Sequence, residues 1–279
     1  MQGIRMMTDN RKEKHFVVPG LSRGLHILEL LSQNHSGLMQ TEIAQALKLP
    51  IASVSRIVNQ LEEMGYLRRN QDSKTFFLTL KMMQIGQSAM LDTSVLEISL
   101  PVMRQLRDEF HDTAAIGVIH DTSVVVVESI QGTHPFVFMP KPGHTEPIHP
   151  TGPGKAIMAW YGEVERDELM SRMTFKRYNE RTITSRPAFI KELNRIRERG
   201  WALDDAEEYD GVYCIAVPIF DRTGYPIASI WITGPHDRIP ASRHPAIATR
   251  MIALVSKVSE ALGYRGPFSH RSQGTNANP

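Results

Sequence analysis

Residues 151–155, TGPGK, form the first stretch of the sequence that could hold a ligand. A glycine-rich turn that opens a helix leaves backbone N–H groups without intrahelical partners, and the positive end of the helix dipole attracts an anion. A nucleotide-binding P-loop is excluded, because His149 stands where that motif requires its first glycine and Ala156 stands where it requires Ser or Thr. From these residues alone, an anion site and a structural turn are both open.

Carboxylate and thiol groups further along the chain could in principle do acid–base or nucleophilic chemistry. Asp204 opens the run DDAEE directly after the strand-like WAL, and Cys214, the single cysteine, lies in the apolar stretch YCIAVPIF. A cysteine in such a stretch is most often a small buried hydrophobe, and no nucleophile elbow accompanies it. We therefore expect no catalytic residue and no cofactor. An enzyme that acts on a small carboxylate through Asp204 and Cys214 is the alternative.

Three histidines, His134, His144 and His149, lie close together in the sequence. Their spacings of ten and five residues match no standard set of metal ligands, and histidines in loops are usually surface groups. We expect no metal site.

The second part of the chain mixes β-rich and helical patterns. Strands are predicted for TAAIGVIH, SVVVVESI, PFVFMP and the hairpin formed by YCIAVPIF and PIASIWIT. Helices are predicted for PGKAIMAWY, VERDELMSRM, AFIKELNRIRERG and the closing stretch PAIATRMIALVSKVSEALGY. This pattern predicts an α+β domain with a mostly antiparallel sheet. Before it, KMMQIGQSAMLDTSVLEISL predicts a linker helix that ends or breaks near Pro101.

The first part of the chain predicts a winged helix-turn-helix. A helix at residues 21–31 is followed by a short helix with Thr41 as its N-cap. The pair Leu49 and Pro50 ends that helix, because the residue before a proline disfavours the helical conformation. A third helix then runs to Gly65, and YLRRNQDSKTFFLTL predicts a β-hairpin around a polar turn. Helices followed by such a hairpin are typical of this DNA-binding motif.

The third helix has an apolar side and a polar side. The apolar positions that we expect to face the core are Ile51, Val54, Ile57, Val58, Leu61 and Met64. The opposite side carries Ala52, Ser53, Ser55, Arg56, Asn59 and Gln60. Small residues allow close approach to the DNA major groove, Arg can bind guanine or phosphate, and Asn or Gln can pair with adenine. The remaining candidate DNA contacts are Thr41, Arg68, Arg69 and Lys74. Of these, the three hairpin residues are expected to hold backbone phosphates.

The bulk properties suit a DNA-binding protein. Residues 1–85 hold 11 Lys and Arg against 7 Asp and Glu, a net charge of +4, and the remainder holds 21 against 23, a net charge of −2. Such asymmetry can indicate nucleic acid as a partner. A single cysteine excludes an internal disulfide and favours a reducing compartment. Because no apolar run approaches the ~18 residues of a membrane span, we expect a cytoplasmic protein with no membrane partner.

From about Pro19 to Tyr264, the chain resembles the IclR family of bacterial transcriptional regulators. The N-terminal resemblance rests on TEIAQALKLPIASVSRIVNQLEEMGYLRR followed by FFLTLKMMQIG. The C-terminal resemblance rests on PIHPTGPGKAIMAW, RERGWALDDAEEYDGVYCIAVPIFD and ASIWITGP, in this order. The resemblance implies an effector-binding domain of GAF-like topology, dimers formed through the DNA-binding domain and the linker helix, and often tetramers.

The resemblance also implies where an effector would bind. In the family, the backbone at Gly152 and Pro153 lines the effector cavity. An Asp and the Cys ten positions later line it as well, and they match Asp204 and Cys214. Asp204 would accept hydrogen bonds from ligand hydroxyls or from a protonated acid. A carboxylate-bearing effector follows as a hypothesis.

Two further positions of the implied cavity are Trp231 and Thr233. Family members that bind small keto acids tend to carry small or hydroxylated residues there, so Thr233 keeps the hydroxyl and Trp231 departs from the pattern. The indole could shrink the cavity, stack on a ligand ring or point into the core. The sequence leaves these three orientations open.

We therefore expect a ligand-responsive DNA-binding regulator, a repressor rather than an activator. It would control genes for the catabolism of a small organic acid, sugar acid or aromatic acid, and bind operator DNA as a homodimer or homotetramer. A DNA-binding protein without effector is a further alternative. The expected segments are a disordered tail (1–18), the winged helix-turn-helix (19–81), the linker helix (82–100), the effector-binding domain (101–265) and a second disordered tail (266–279).

Overall fold

The computed structural model describes residues 18–89 and 93–268, and the chain forms two compact units that divide near residue 90. The predicted tail residues 1–17 and 269–279 and residues 90–92 of the predicted linker lie outside the described residues. Within the described ranges, no helix is long and apolar enough to cross a membrane.

The N-terminal unit is a winged helix-turn-helix, as predicted. Its elements are α1 (Pro19–Ser32), α2 (Gln40–Leu47), α3 (Ile51–Glu63), β1 (Leu67–Arg69), β2 (Phe76–Leu78) and α4 (Lys81–Ala89). Strands β1 and β2 pair antiparallel, and Leu38 forms a further bridge to Phe76. The core that holds the three helices against the hairpin consists of Ile27, Leu31, Ile43, Val54, Val58, Leu67 and Phe76.

The turns of this unit follow from proline and from left-handed backbone positions. Helix α2 ends with Lys48 at φ +52°, and Pro50 is the N-cap of α3, so the break predicted at this proline is confirmed. Gly65 follows α3 at φ +78°, a conformation that glycine adopts without steric cost.

The predicted start of α2 was wrong by two residues. The N-cap is Met39, so Thr41 lies inside the first helical turn. The backbone N–H of Met39 donates to the Glu42 carboxylate at 2.7 Å. The Glu42 side chain therefore caps the start of this helix.

Helix α3 buries a shorter stripe than its apolar pattern predicted. Val54 and Val58 are fully buried, whereas Ile51 and Met64 are 48% and 49% exposed. Ile51 is the first residue of the helix and Met64 is its C-cap. The buried stripe therefore covers only the central turns.

The C-terminal unit is an α+β sandwich. Its elements are α5 (Thr93–Phe110), β3 (Thr113–His120), β4 (Ser123–Ile130), β5 (Thr145–Pro147), α6 (Gly152–Met158), α7 (Glu163–Arg172), α8 (Arg186–Arg199), β6 (Ala202–Asp205), β7 (Val212–Phe220), β8 (Pro226–Pro235), a 3-10 turn (Ala241–Arg243) and α9 (His244–Ala261). The sheet order is β5-β4-β3-β8-β7-β6, and every adjacent pair is antiparallel. The predicted fold class is confirmed.

Each face of this sheet packs against its own layer of helices. Ile215, Val217 and Ile219 of β7 belong to the core that includes α5 and α9. Cys214 and Ala216 of the same strand belong to the core that includes α6, α7 and α8. Because β7 is buried on both faces, its sequence is a nearly continuous apolar run. The face beneath α6, α7 and α8 is called the α6 face below.

Three predicted boundaries of the C-terminal unit were wrong. Residues 135–140, PFVFMP, form no strand, since a proline at each end removes a backbone donor; the edge strand is β5. Helix α5 continues through Pro101, held by buried Met103 and Leu106, so the predicted linker helix does not break there. Phe268 packs on the Phe220 ring with centroids 5.1 Å apart, so the folded chain extends past residue 265.

The shortened stripe on α3 generates a stability prediction. Val58→Ala should lower the free energy of unfolding of the N-terminal unit by about 2 kcal/mol, because it removes fully buried methyl groups and leaves a cavity. Ile51→Ala, a larger truncation on the same helix, should cost less because Ile51 is half exposed. Urea denaturation of the full chain, followed by circular dichroism, measures both. Equal losses for the two variants would contradict the burial described for α3.

Candidate functional site

Helix α3 presents a polar surface on the N-terminal unit. Ala52, Arg56, Asn59 and Gln60 are exposed, and Ser55 is half-buried. Five of the six side chains predicted for the reading face therefore lie on the solvent side of the helix. A small residue, a guanidinium and two amides on one exposed helix surface have the chemistry that reads base edges.

Ser53 departs from this arrangement. It is only 9% exposed, and its hydroxyl accepts a hydrogen bond from Nη1 of Arg23 on α1 at 3.1 Å. The polar partner that turns Ser53 inward lies 30 residues earlier in the sequence. Ser53 therefore fixes α3 on α1 and does not belong to the exposed surface.

The hairpin carries its basic side chains next to aromatic rings. Arg68 is exposed, with its guanidinium carbon 4.3 Å from the centroid of Phe77. Arg69 is half-buried over Phe76, and its Nε lacks a hydrogen-bond partner among the described residues. Lys74 is exposed in the hairpin turn. The hairpin therefore offers Arg68 and Lys74 to a polyanion, and part of the Arg69 side chain packs in the unit.

Three of the predicted effector residues form one row across the C-terminal sheet. Cys214 pairs directly with Asp204 of β6 and with Thr233 of β8. Directly paired residues point to the same face of a sheet, so the three side chains lie side by side on the α6 face. All three are buried.

The start of α6 lies directly over this row. A Cβ at Gly152 would be 2.8 Å from Cys214 Sγ and 3.3 Å from the Ala216 Cβ, so only glycine allows this approach. Pro153 follows within the same buried turn. Burial raises the pKa of the Cys214 thiol well above its usual range, and the nearby Asp204 carboxylate raises it further. The thiol therefore stays neutral and forms part of a wall.

A buried group of charges lies beside Asp204. The Lys155 ammonium on α6 donates to the Glu207 carboxylate, and both side chains are buried. Asp204 accepts the backbone N–H of Glu207 at 2.7 Å. Burial raises the pKa of Asp204 well above its usual range, although the charge on Lys155 opposes the shift. Oε2 of Glu207 is buried without a partner among the described residues.

Trp231 packs in the apolar core of the α6 face and is 2% exposed. Its ring atoms lie 3.1 Å from the position that a Cβ on Gly117 would occupy. Of the three orientations left open by the sequence, the structure has the one in which the indole packs in the core.

The sequence analysis missed Glu146, a buried acidic group of this face. Glu146 pairs with Val124 of β4, so its side chain shares the α6 face with buried Val124. Burial raises the pKa of Glu146 to about 7. Burial and the charge of Glu146 raise the pKa of Glu208 to about 7. The available signal was the spacing of two residues between Glu146 and apolar Ile148 in a short strand-like stretch.

The three histidines lie in different surroundings. His149 is buried, its Nε2 is 2.9 Å from the Lys176 carbonyl oxygen, and burial lowers its pKa. His134 packs against the His111 ring, and His144 is exposed. Among the described residues, no group of three or more His, Cys, Asp or Glu could hold a metal ion.

A cavity of about 430 Å³ opens on the C-terminal unit at the β5 edge of the sheet. Its walls include Glu146, His149, Arg172, Lys176 and Tyr178. Arg172 also pairs with Asp121, and the Lys176 ammonium lies 5.0 Å from the centroid of the Tyr178 ring. The cavity therefore has side chains of both charges.

The chain is similar to known regulators over most of its length. It is 29% identical over 229 residues to the HTH-type transcriptional regulator KdgR of Escherichia coli, covering 82% of this chain and 87% of that one. It is 29% identical over 249 residues to the transcriptional repressor IclR of the same organism, covering 88% and 90%. A crystal structure of an IclR homolog from Microbacterium hydrocarbonoxydans, complexed with 4-hydroxybenzoate, has the same fold, with a TM-score of 0.75, 18% identity, and coverage of 87% of this chain and 99% of that one.

Two family descriptions match the two units. The IclR helix-turn-helix domain matches residues 20–71, and the bacterial transcriptional regulator IclR C-terminal domain matches residues 87–260, more than half of the 279 residues. The chain belongs to the IclR family of bacterial transcriptional regulators.

Proposed function

We propose that this chain is a ligand-controlled repressor of genes for the catabolism of a small organic, sugar or aromatic acid. The observation that carries the proposal is the exposed polar surface of α3 beside a basic hairpin, in a chain whose other unit buries a row of polar side chains under a helix. A chromosomal operator as the partner would place the protein in the cytoplasm.

In the proposed complex, α3 enters the major groove of operator DNA. Arg56 is suited to guanine or to a phosphate, and Asn59 is suited to adenine. Arg68 and Lys74 would contact backbone phosphates and so orient the helix. Thr41, exposed in the first turn of α2, would contact the backbone as well. A homodimer or homotetramer would match a partly palindromic operator, because two-fold protein symmetry is mirrored in the DNA half-sites.

The proposed effector is a small carboxylate-bearing molecule held on the α6 face. Burial raises the pKa of Asp204, and its carboxyl could accept from a ligand hydroxyl or, when protonated, donate to a ligand carboxylate. Thr233 would add a hydroxyl, and Gly152, Pro153 and Cys214 would form the wall. The 4-hydroxybenzoate in the Microbacterium homolog supports the class of ligand. Control requires the effector to favour one DNA-binding arrangement by ~1–3 kcal/mol.

The test of this function is a gel shift with the DNA immediately upstream of the gene for this chain. Specific binding should survive excess competitor DNA and weaken as salt rises, because phosphate contacts release counterions. A panel of keto acids, sugar acids and aromatic acids, added to the shifted complex, should contain a compound that releases the DNA. The proposal would be contradicted if competitor DNA removed all binding at every salt concentration and with every acid.

Arg56→Ala should weaken operator binding about tenfold or more, because it removes a contact to a base or phosphate from the exposed surface of α3. Lys74→Ala should weaken binding to all sequences alike and reduce the salt dependence, as expected for a phosphate contact. Arg177→Ala, which removes an exposed arginine from the C-terminal unit, is the control. Equal operator affinity of Arg56→Ala and the control would remove Arg56 from the contact surface.

Asp204→Ala should abolish the release of DNA by the effector and leave operator affinity unchanged, because the change removes a buried ligand-facing carboxyl. The control is Asp205→Ala, since the neighbouring Asp205 is half-buried and pairs with Arg181. Titrating the acid found in the panel against each protein–DNA complex measures the response. An unchanged dose response in Asp204→Ala would place the ligand elsewhere in the protein.

A further inference from the structure

Glu146 is a buried carboxylate without a partner. It is 7% exposed, and none of the hydrogen bonds or ion pairs among the described residues involves its side chain. Burying an unpaired carboxylate is costly, because the protein must replace the water that would solvate the charge. Of the other buried acidic groups, Asp204 has a backbone donor, and Glu207 has an ammonium partner. Glu146 is therefore largely withdrawn from water and has no donor among the described residues.

The position of Glu146 is open to a ligand. It lines the cavity of about 430 Å³ at the β5 edge, and its pairing with Val124 turns its side chain toward the α6 face. The charge of Glu146 raises the pKa of three groups around it, Glu208, Tyr209 and Cys214. Other ionisable groups of the cavity wall are His149, Arg172, Lys176 and Tyr178. On the same face, Asp204 raises the pKa of Cys214 and Lys155 lowers it.

An aromatic pair lies beside the acidic pair formed by Glu146 and Glu208. The ring of Tyr209, a neighbour of both carboxylates, lies 5.5 Å from that of Phe138. Ring faces attract cations, and two adjacent carboxylates attract them more strongly. Lys155, a buried cation on this face, already pairs with Glu207, and Lys176 lies over Tyr178. The surroundings of Glu146 thus favour an additional positive charge.

We propose that Glu146 binds a protonated amino group of the effector, so that the ligand is a small amino acid-like zwitterion. This inference rests on the proposed function and specifies its ligand. The ammonium group would donate to Glu146 beside Glu208 and Tyr209, and the ligand carboxylate would lie toward Asp204 or the basic side of the cavity wall.

The test uses two pairs of compounds that differ only in the charged group. One pair is 4-(aminomethyl)benzoate and 4-(hydroxymethyl)benzoate, and the other is 5-aminopentanoate and 5-hydroxypentanoate. Isothermal titration calorimetry of the full-length protein at pH 8 should show that at least one amino compound binds about tenfold or more tightly than its hydroxy partner, as expected for a charge-assisted hydrogen bond.

The variant Glu146→Gln should abolish this preference, and Glu163→Gln, a change at an exposed position of α7, should keep it. Glu146→Gln preserves the shape of the side chain and removes an ionisation that the folded state disfavours, so its Tm at pH 8 should equal or exceed that of the unmodified protein. A retained Tm separates loss of binding from failure to fold.

The pH dependence provides a second readout. The amino group stays protonated between pH 6 and pH 8, whereas Glu146, with its pKa raised to about 7, ionises in that range. Affinity for the amino compound should therefore rise from pH 6 to pH 8. The rise should be shallower in Glu146→Gln, because that variant removes one of the two carboxylates whose pKa is raised to about 7.

Three results would overturn the inference: equal binding of amino and hydroxy compounds, a preference that survives in Glu146→Gln, or no binding of either amino compound. A gel shift with ligand-free protein, run in parallel, separates this failure from that of the proposed function. Operator binding without amine binding would reject the zwitterion and leave the regulator. Absence of operator binding would contradict the proposed function, whatever the amine compounds do.

Discussion

The buried ion pair between Lys155 and Glu207 is the interaction on which the polar part of the α6 face depends. Lys155 lies on α6, and Glu207 follows β6, 52 residues later. Their pairing holds the helix over the sheet and the acidic loop beside it. The same loop donates the Glu207 N–H to Asp204. Removing either partner would leave an uncompensated charge in the interior, which is costly, so this pair orders both segments.

Small side chains also allow α6 to lie close to the sheet. Gly152 and Cys214 allow α6 to approach β7 until a single added carbon would collide with the sulfur. Gly117 provides the space that the Trp231 indole occupies on the neighbouring part of the sheet. The α6 face is therefore divided between an apolar part, filled by Trp231, and a polar part, in which Asp204 and Thr233 flank the thiol.

Local patterns predicted most of the fold, because strand alternation, helical periodicity and proline act between near neighbours in the sequence. The stretches TAAIGVIH and SVVVVESI are β3 and β4 with the predicted ends. The departures depend on distant partners. Ser53 faces inward because Arg23 meets it there. Glu146 is buried because β5 pairs with β4. A single sequence carries no direct signal for either contact.

The polar part of the α6 face is costly for a structure that needs only to fold. An apolar residue at position 146 would continue the contact with Val124 and Ile148 and would avoid burying a carboxylate. Glu208, close enough for its pKa to rise with the charge of Glu146, adds repulsion when both groups are ionised. A bound cation would offset both the cost of burying the carboxylate and the repulsion between the two groups. The stability lost in the empty protein would then become binding energy that distinguishes a charged amine from an uncharged ligand of the same shape.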